Sequence, residues 1–236
     1  MKHLFVALGF LSALAFQAAR AADQPPASAA APASSGSSAS SAGSPGAGGS
    51  ASSTTAPAGP GAPAKSATPS TVQVRVVTSM GNFTIELLPE RAPLTVAQFL
   101  KYVDQGHYSG TIFHRVIQSF IIQGGGFDTD FKIKGSPTKV VNESGNGLTN
   151  QRGTVGLARP QDPHGGDVQF YINLFDNSSL DPNQTRWGYA VFGKIADGMV
   201  VVDRIGNVPT GAKGPFKEDA PLQPIVIERI ERITPP

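Results

Sequence analysis

Residues 22–70 hold almost nothing that could form a hydrophobic core. From Asp23 to Ser70 the chain consists almost wholly of Ala, Ser, Gly, Pro and Thr, as in "SGSSASSAGSPGAGGSASSTTAPAGPGAP". Such a segment buries too little apolar surface to offset the entropy lost on ordering it. We therefore predict a disordered, partly Pro-stiffened linker over residues 22–70, so that the folded domain comes from residues 71–236.

The first 21 residues have the pattern of a secretory signal peptide. A basic start at Lys2 precedes an apolar run from Leu4 to Phe16, which is short for a membrane-spanning helix, and residues 19–21 read small-x-small, as a cleavage site does. An N-terminal core helix is the weaker interpretation, because the segment that follows could not pack against it. We expect removal of residues 1–21 on export, and a mature protein that is periplasmic or otherwise exported and has no membrane span.

Charge and cysteine content exclude several classes of function. Removal of Lys2 and Arg20 with the signal would leave equal numbers of basic and acidic residues, so the basic surface of a nucleic-acid-binding protein is not expected. The absence of cysteine excludes disulfides and thiolate chemistry. The histidines lack the spacing of metal ligands, so no metal site is expected. They are His3, His107, His114 and His164.

Residues 71–236 combine many short strand patterns with two helical ones. Residues 71–78 and 83–87 alternate apolar and polar side chains about a turn at Met80-Gly81, which predicts a hairpin. One helix is predicted to begin at Pro93 with Gly106 as its C-terminal cap, and a second to begin with Asp197 as N-cap and to end at Gly206. Further strands are predicted near residues 112–116, 120–123, 154–158, 169–173, 189–192 and 224–233. This order favours a mainly β domain, an antiparallel barrel or sandwich whose open ends the helices cover.

Patterns that could indicate other chemistry have simpler structural interpretations. Gly124-Gly125-Gly126 is followed neither by Lys-Ser or Lys-Thr nor by a helix, so it predicts a crowded strand end rather than a phosphate-binding loop. His114 is interpreted as a hydrogen-bonded structural histidine rather than an acid–base group. The chain contains no G-x-S-x-G motif, so no nucleophile for covalent catalysis is apparent.

Four motifs in collinear order resemble those of one enzyme family. They are "TIFHRVIQSFIIQGGGF", "NGLTNQRGTVGLAR", "DVQFYINLFDN" and "GYAVFGKIADGMVVVDRI". Over about residues 72–233 the chain resembles the cyclophilin-type peptidyl-prolyl cis-trans isomerases, and most closely their bacterial periplasmic branch. The resemblance implies a closed eight-stranded antiparallel β-barrel capped by two α-helices, and an activity without a cofactor.

The resemblance also implies the residues of the active site. Arg115, Phe120 and Gln123 match the family's catalytic arginine, its pocket phenylalanine and the glutamine before the glycines. The apolar side chains would line a pocket for the proline ring, and Gln123 would hold the arginine. The implied substrate-binding residues are Ile121, Ala158, Arg159, Gln169, Tyr171, Leu180 and Tyr189.

An arginine beside apolar side chains suits the chemistry of prolyl isomerisation. Amide resonance opposes rotation with a barrier of about 18–20 kcal/mol, and at the twisted midpoint the prolyl nitrogen becomes a pyramidal acceptor. A guanidinium can donate a hydrogen bond to that nitrogen only in the twisted state, so the interaction is specific to the transition state. Neither a metal, a nucleotide nor a proton transfer is required.

Some positions depart from the family pattern. Gln118 and Ser119 replace a common Pro-Gly, and Ile121 replaces methionine. Ser179 lies where eukaryotic members have the tryptophan associated with cyclosporin binding, which predicts weak inhibition by cyclosporin.

The sequence thus predicts a monomeric isomerase that acts on proline-containing polypeptides while exported proteins fold. A proline-peptide binding or chaperone module with little turnover would use the same pocket and is the main alternative. A binder of a non-peptide ligand on the same barrel is a third, which rests only on the changes at Gln118 and Ser179.

Overall fold

The computed structural model describes residues 72–233, so the predicted signal peptide and linker lie outside the described residues. The described part contains ten strands, two α-helices and a 3-10 turn at Ser178–Leu180. The helices are α1 (Pro93–Asp104) and α2 (Met199–Gly206). The strands are β1 (Val72–Thr78), β2 (Gly81–Leu87), β3 (Thr111–Ile117), β4 (Ile121–Asp128), β5 (Thr154–Leu157), β6 (Phe170–Asn173), β7 (Val191–Asp197), β8 (Thr210–Lys213), β9 (Phe216–Pro221) and β10 (Val226–Ile233). Neither helix of this part is long and apolar enough to cross a membrane.

Eight of the strands close into a barrel in the order β1-β10-β3-β4-β6-β5-β7-β2. All neighbouring strands are antiparallel. The structure therefore confirms the prediction of a mainly β fold built on a closed eight-stranded antiparallel barrel with two helices. The remaining strands, β8 and β9, form a separate hairpin.

Strand alternation separates an interior row of side chains from an exterior one. Val116, Ile122, Ile172 and Val155 lie directly opposite one another across β3, β4, β6 and β5, and each is almost fully buried. Full burial stabilises a side chain of this size by about 1.5–3 kcal/mol, so this row fixes the register of the strands. Because successive side chains of a strand point to opposite faces, the adjacent residues on these strands point out of the barrel.

Helix α1 closes part of the core. Its Phe99 ring lies 5.2 Å from the ring of Tyr108 and 5.2 Å from that of Phe192. Pro93 begins the helix, and Gly106 follows its end with φ 66°, a left-handed conformation that glycine adopts at little cost, so both predicted ends are confirmed. The N-terminal amides of Leu94 and Thr95 donate to the carboxylate of Glu143, at 3.1 and 2.8 Å.

Two predicted details of the elements are wrong. Asp197 does not cap α2, because it pairs with Thr84 as the last residue of β7, and the N-cap is Gly198 with φ 84°. A Cβ atom at Gly198 would lie 2.7 Å from the carbonyl oxygen of Asn82, so the close approach of β2 requires glycine there. The turn of the first hairpin was predicted at Met80-Gly81 but lies one residue earlier, at residues 79–80, because Gly81 already pairs with Thr78.

The β8–β9 hairpin was not predicted. Its sequence, "TGAKGPFKEDAP", lacks an apolar alternation, and most of its residues are exposed or half-buried. The hairpin packs against β3, where the Phe216 ring stacks on His114 with centroids 5.3 Å apart. It therefore covers the strand that carries Arg115.

Candidate active site

A row of directly opposed residues crosses the outside of the barrel. Arg115 on β3 lies opposite Gln123 on β4, Gln123 lies opposite Tyr171 on β6, and Tyr171 lies opposite Gly156 on β5. This row alternates with the buried interior row, so its side chains point outward. A cation, an amide and an aromatic ring thus share one face through the strand register alone.

The polar end of this row is held by neighbouring side chains. The Arg115 side chain is only 12% exposed, and its Nε lies 3.6 Å from Oδ2 of Asp219. Gln123 is buried, and its Nε2 donates to Oε1 of Gln169 at 3.1 Å. An amide nitrogen only donates, so only the carbonyl oxygen of Gln123 could accept from a guanidinium. That Gln123 holds Arg115 remains a prediction.

Glycines make room for the side chains of the site. A Cβ atom at Gly126 would lie 2.5 Å from Cδ of Gln169, and one at Gly156 would overlap the ring of Tyr171. The predicted crowding around the glycine run is therefore confirmed. Its position is not a strand end, however, because Gly124, Gly125 and Gly126 lie within β4.

An apolar cluster lies apart from the main core at this face of the barrel. Its buried members come from two strands, the residue that follows β5 and the 3-10 turn, and two half-buried aromatic residues pack against them. The cluster consists of Ile121, Ala158, Tyr171 and Leu180, with Phe120 and Tyr189 packed against them. All were named from the sequence as site residues, and the structure brings them together.

A chain of asparagine side chains supports this apolar cluster. The Tyr171 hydroxyl donates to Oδ1 of Asn150 at 2.6 Å, and Asn173 donates to the same oxygen at 3.2 Å. Asn177 donates to Asn173 at 2.7 Å and to the carbonyl oxygen of Phe120 at 2.9 Å. Burial raises the pKa of Tyr171 well above its usual value, so its hydroxyl remains a donor. The sequence reasoning missed these asparagines, although Asn150, Asn173 and Asn177 lie within the quoted motifs.

The Arg159 side chain faces the loop that precedes β7. Its guanidinium carbon lies 4.5 Å from the centre of the Tyr189 ring, a favourable cation–π distance. The group also donates to the carbonyl oxygens of Trp187, at 2.9 Å, and Gly188, at 3.3 Å. The side chain of Arg159 thus holds Tyr189 in the apolar cluster. The predicted contact with the substrate backbone remains a prediction for Ala158, Arg159 and Gln169.

His114 is a neutral, buried ring behind this face. Burial, and secondly the nearby charge of Arg115, lower the pKa of His114 to about 3. Its ring packs against Phe127 at 4.7 Å and Phe216 at 5.3 Å. Its Nδ1 has no hydrogen-bond partner among residues 72–233, but the ring is hydrogen-bonded to the backbone of Ile112, as predicted. The ring is uncharged near neutral pH and serves as a packing residue.

Of the positions that depart from the family pattern, Ile121 belongs to the apolar cluster, and the other three lie outside it. Ser119 has φ 61° in the turn between β3 and β4, where the Phe120 amide donates to Ile117 at 3.0 Å. Gln118 donates to Asn207 at 2.9 Å, and Ser179 is exposed on the 3-10 turn.

Within residues 72–233 no three His, Cys, Asp or Glu side chains are grouped as metal ligands.

Comparison with known proteins agrees with this geometry. The family model "Cyclophilin type peptidyl-prolyl cis-trans isomerase/CLD" matches residues 72–232. A peptidyl-prolyl cis-trans isomerase of Acinetobacter baylyi is 45% identical over 69% of this chain and 86% of that protein. Peptidyl-prolyl cis-trans isomerase A of Dickeya dadantii is 47% identical over 69% of this chain and 85% of its own length.

Solved structures agree as well. A cyclophilin type peptidyl-prolyl cis-trans isomerase of Cryptosporidium parvum, solved in the presence of the dipeptide Ala-Pro, matches with a TM-score of 0.57 and 26% identity. The match covers 69% of this chain and 99% of the other. The chain therefore belongs to the cyclophilin-type peptidyl-prolyl cis-trans isomerase family and is an enzyme of that type.

Proposed function

We propose that this enzyme accelerates rotation about X-Pro bonds by stabilising the twisted peptide with Arg115, and that its substrates are exported proteins as they fold. The proline ring occupies the apolar cluster. As the bond twists, resonance is lost, and the prolyl nitrogen accepts a hydrogen bond from the guanidinium. The planar ground state cannot use this bond, so the interaction lowers the barrier instead of tightening binding.

The observation that carries the proposal is the outward row that places Arg115 and Gln123 beside Tyr171 and the apolar cluster. Arginine suits the role because its guanidinium is always charged and presents its donors in a fixed plane. The carbonyl oxygen of Gln123 accepts a hydrogen bond from the guanidinium, while its amide nitrogen donates to Oε1 of Gln169. The related Cryptosporidium enzyme was solved with Ala-Pro, which supports a proline-containing substrate.

The remaining assigned residues divide between the ring and the backbone of the substrate. Phe120, Ile121, Tyr171 and Leu180 contact the proline ring, which needs an apolar surface while the preceding carbonyl swings. Tyr189, which packs against them, completes the substrate-binding surface. Ala158, Arg159 and Gln169 bind the backbone of the polypeptide. No cofactor takes part, and the enzyme acts as a monomer.

The proposed place of action is the periplasm, and it rests on the signal-peptide pattern of residues 1–21. Cell fractionation followed by N-terminal sequencing tests it. We expect the periplasmic protein to begin at Ala22. Recovery of an uncut chain in the cytoplasm would overturn this part of the proposal.

The catalytic role of Arg115 is tested by NMR exchange of a short X-Pro peptide. We expect Arg115→Ala to lower the catalysed exchange rate at least ten-fold, which corresponds to about 1.4 kcal/mol of lost transition-state stabilisation. Arg115→Lys keeps the charge but loses the planar donors, so it should remain impaired. Arg75→Ala on β1 is the control, because Arg75 is exposed and its partner Glu231 lies beyond the two residues of β10 that pair with β3.

The same experiment separates the isomerase from the alternative function. Circular dichroism first confirms that each variant is folded, and peptide affinity is measured beside the exchange rate. Binding without acceleration by the intact chain would favour a proline-peptide binding module. Full activity in Arg115→Ala would remove Arg115 from the mechanism.

A further inference from the structure

The β8–β9 hairpin brings an acidic residue to the arginine of the site. Asp219 lies on β9, outside the barrel sheet, and its Oδ2 is 3.6 Å from Nε of Arg115. The side chains are 12% exposed for Arg115 and 29% for Asp219. A partly buried pair of this kind is screened by solvent less than an exposed one, so the carboxylate constrains the guanidinium more strongly than a surface partner would.

The hairpin is itself fixed against β3. Phe216, at the start of β9, stacks on His114 at 5.3 Å and meets Phe127 edge-on at 5.2 Å. Since His114 precedes Arg115 in the chain, this contact holds β9 beside the strand that carries the arginine. Asp219 has φ 64°, a left-handed backbone that Asp and Asn tolerate better than most residues.

We propose that Asp219 is a positioning residue that orients the Arg115 guanidinium from its Nε side. This inference rests on the proposed function of Arg115. A guanidinium on a flexible side chain stabilises the twisted peptide only while it is held in the right plane. The carboxylate restrains the Nε end, and the donors on the Nη atoms serve the prolyl nitrogen.

The test uses the full chain and two substitutions at one position. Asp219→Gly removes the carboxylate but suits the left-handed backbone, so the hairpin can keep its shape. Asp219→Asn keeps the shape and a carbonyl oxygen but removes the charge. We expect kcat/KM to fall about ten-fold in Asp219→Gly and two- to five-fold in Asp219→Asn. The loss should appear in kcat, with KM nearly unchanged. Proline-peptide affinity should change less than two-fold, because the apolar cluster is untouched.

A double-mutant cycle shows whether Asp219 acts through Arg115. In an Arg115→Ala background we expect Asp219→Gly to change the residual rate by less than two-fold. Glu218→Ala is the control, because this acidic neighbour is exposed and should leave the rate unchanged. A ten-fold loss that persists without Arg115 would mean that Asp219 merely stabilises the hairpin, and no loss in either variant would also overturn the proposal.

Hydrogen exchange at Arg115 separates this inference from the proposed function. The Nε–H of Arg115 gives its own NMR signal, whose exchange with water does not depend on catalysis. We expect exchange to be at least three-fold faster in Asp219→Gly than in the unaltered chain. If exchange is faster in Asp219→Gly but the unaltered chain has no isomerase activity, Asp219 is still the restraint on Arg115, and the proposed catalytic role of Arg115 is rejected. Unchanged exchange would reject the restraint whatever the activity.

Discussion

Two consecutive residues of β3 show how local surroundings decide chemistry. His114 lies against the rings of Phe127 and Phe216, and it is uncharged near neutral pH. Arg115 lies beside a carboxylate instead, with its Nε 3.6 Å from Oδ2 of Asp219. The pairing of β3 with β4 is irregular between Phe113 and Arg115, so alternation does not place these two side chains on opposite faces, and both meet the β8–β9 hairpin.

The low pKa of His114 predicts a loss of stability in acid. In the unfolded chain the pKa of histidine is about 6.5, against about 3 in the folded protein. Between these values the unfolded chain binds one more proton, so the free energy of unfolding falls as pH falls, by about 1.4 kcal/mol per pH unit. Above pH 6.5 this effect disappears.

Urea unfolding at pH 7.5 and pH 4.5 checks this prediction. His114→Phe keeps an aromatic ring between its neighbours but cannot bind a proton. Between the two pH values we expect the unaltered protein to lose about 3 kcal/mol more stability than the variant. His107, whose pKa is also lowered by burial, is present in both proteins, so its contribution cancels. Equal losses in the two proteins would show that His114 does not resist protonation.

At the scale of elements, the turn between β3 and β4 carries Phe120 into the apolar cluster. The turn is closed by the bond from the Phe120 amide to Ile117, and it places Ser119 at φ 61°. A side chain in this left-handed region costs about 1–2 kcal/mol, which glycine avoids. The common Pro-Gly of the family would suit this backbone better than Gln118-Ser119.

Ser119→Gly should therefore stabilise the protein. The relief of the left-handed backbone exceeds the larger entropy that glycine loses on folding, and the expected net gain is about 0.5 kcal/mol. The denaturant midpoint measures it. Ser179→Gly is the matched control, because Ser179 is also exposed but lies in a right-handed 3-10 turn, where glycine should lower stability. A loss of stability in both variants would contradict this account of the turn.

The elements also show why parts of the molecule could not be predicted. The resemblance to the family named Arg115, Gln123 and Tyr171 as site residues, and the strand register that sets them side by side was found only in the structure. The contact of Asp219 with Arg115 joins distant segments and leaves no local pattern. The same holds for Glu143, which binds the amide of Thr95 from 48 residues away. Asp197 looked like a cap, but pairing with β2 determined its conformation.

At the scale of the whole molecule, the closed eight-stranded antiparallel barrel agrees with the family expectation. The strand and helix patterns alone favoured a barrel or a sandwich, and the resemblance implied the closed barrel. The order of the strands was not predicted, because periodicity does not say which strands are neighbours. The extra β8–β9 hairpin, with few buried residues, could be recognised only in three dimensions.

The first and last strands are neighbours in this barrel, since Gln73 on β1 is paired with Ile233 on β10. Paired Cα atoms lie about 4.5–5.5 Å apart, so a linker of a few residues can join the two ends. A circular permutant, joined there and reopened at the exposed turn between Thr129 and Asp130, keeps every pairing of the barrel. We expect it to fold and to retain isomerase activity within about three-fold, as measured by peptide exchange. A permutant that fails to fold would mean that chain order, and not only strand adjacency, is needed to close the barrel.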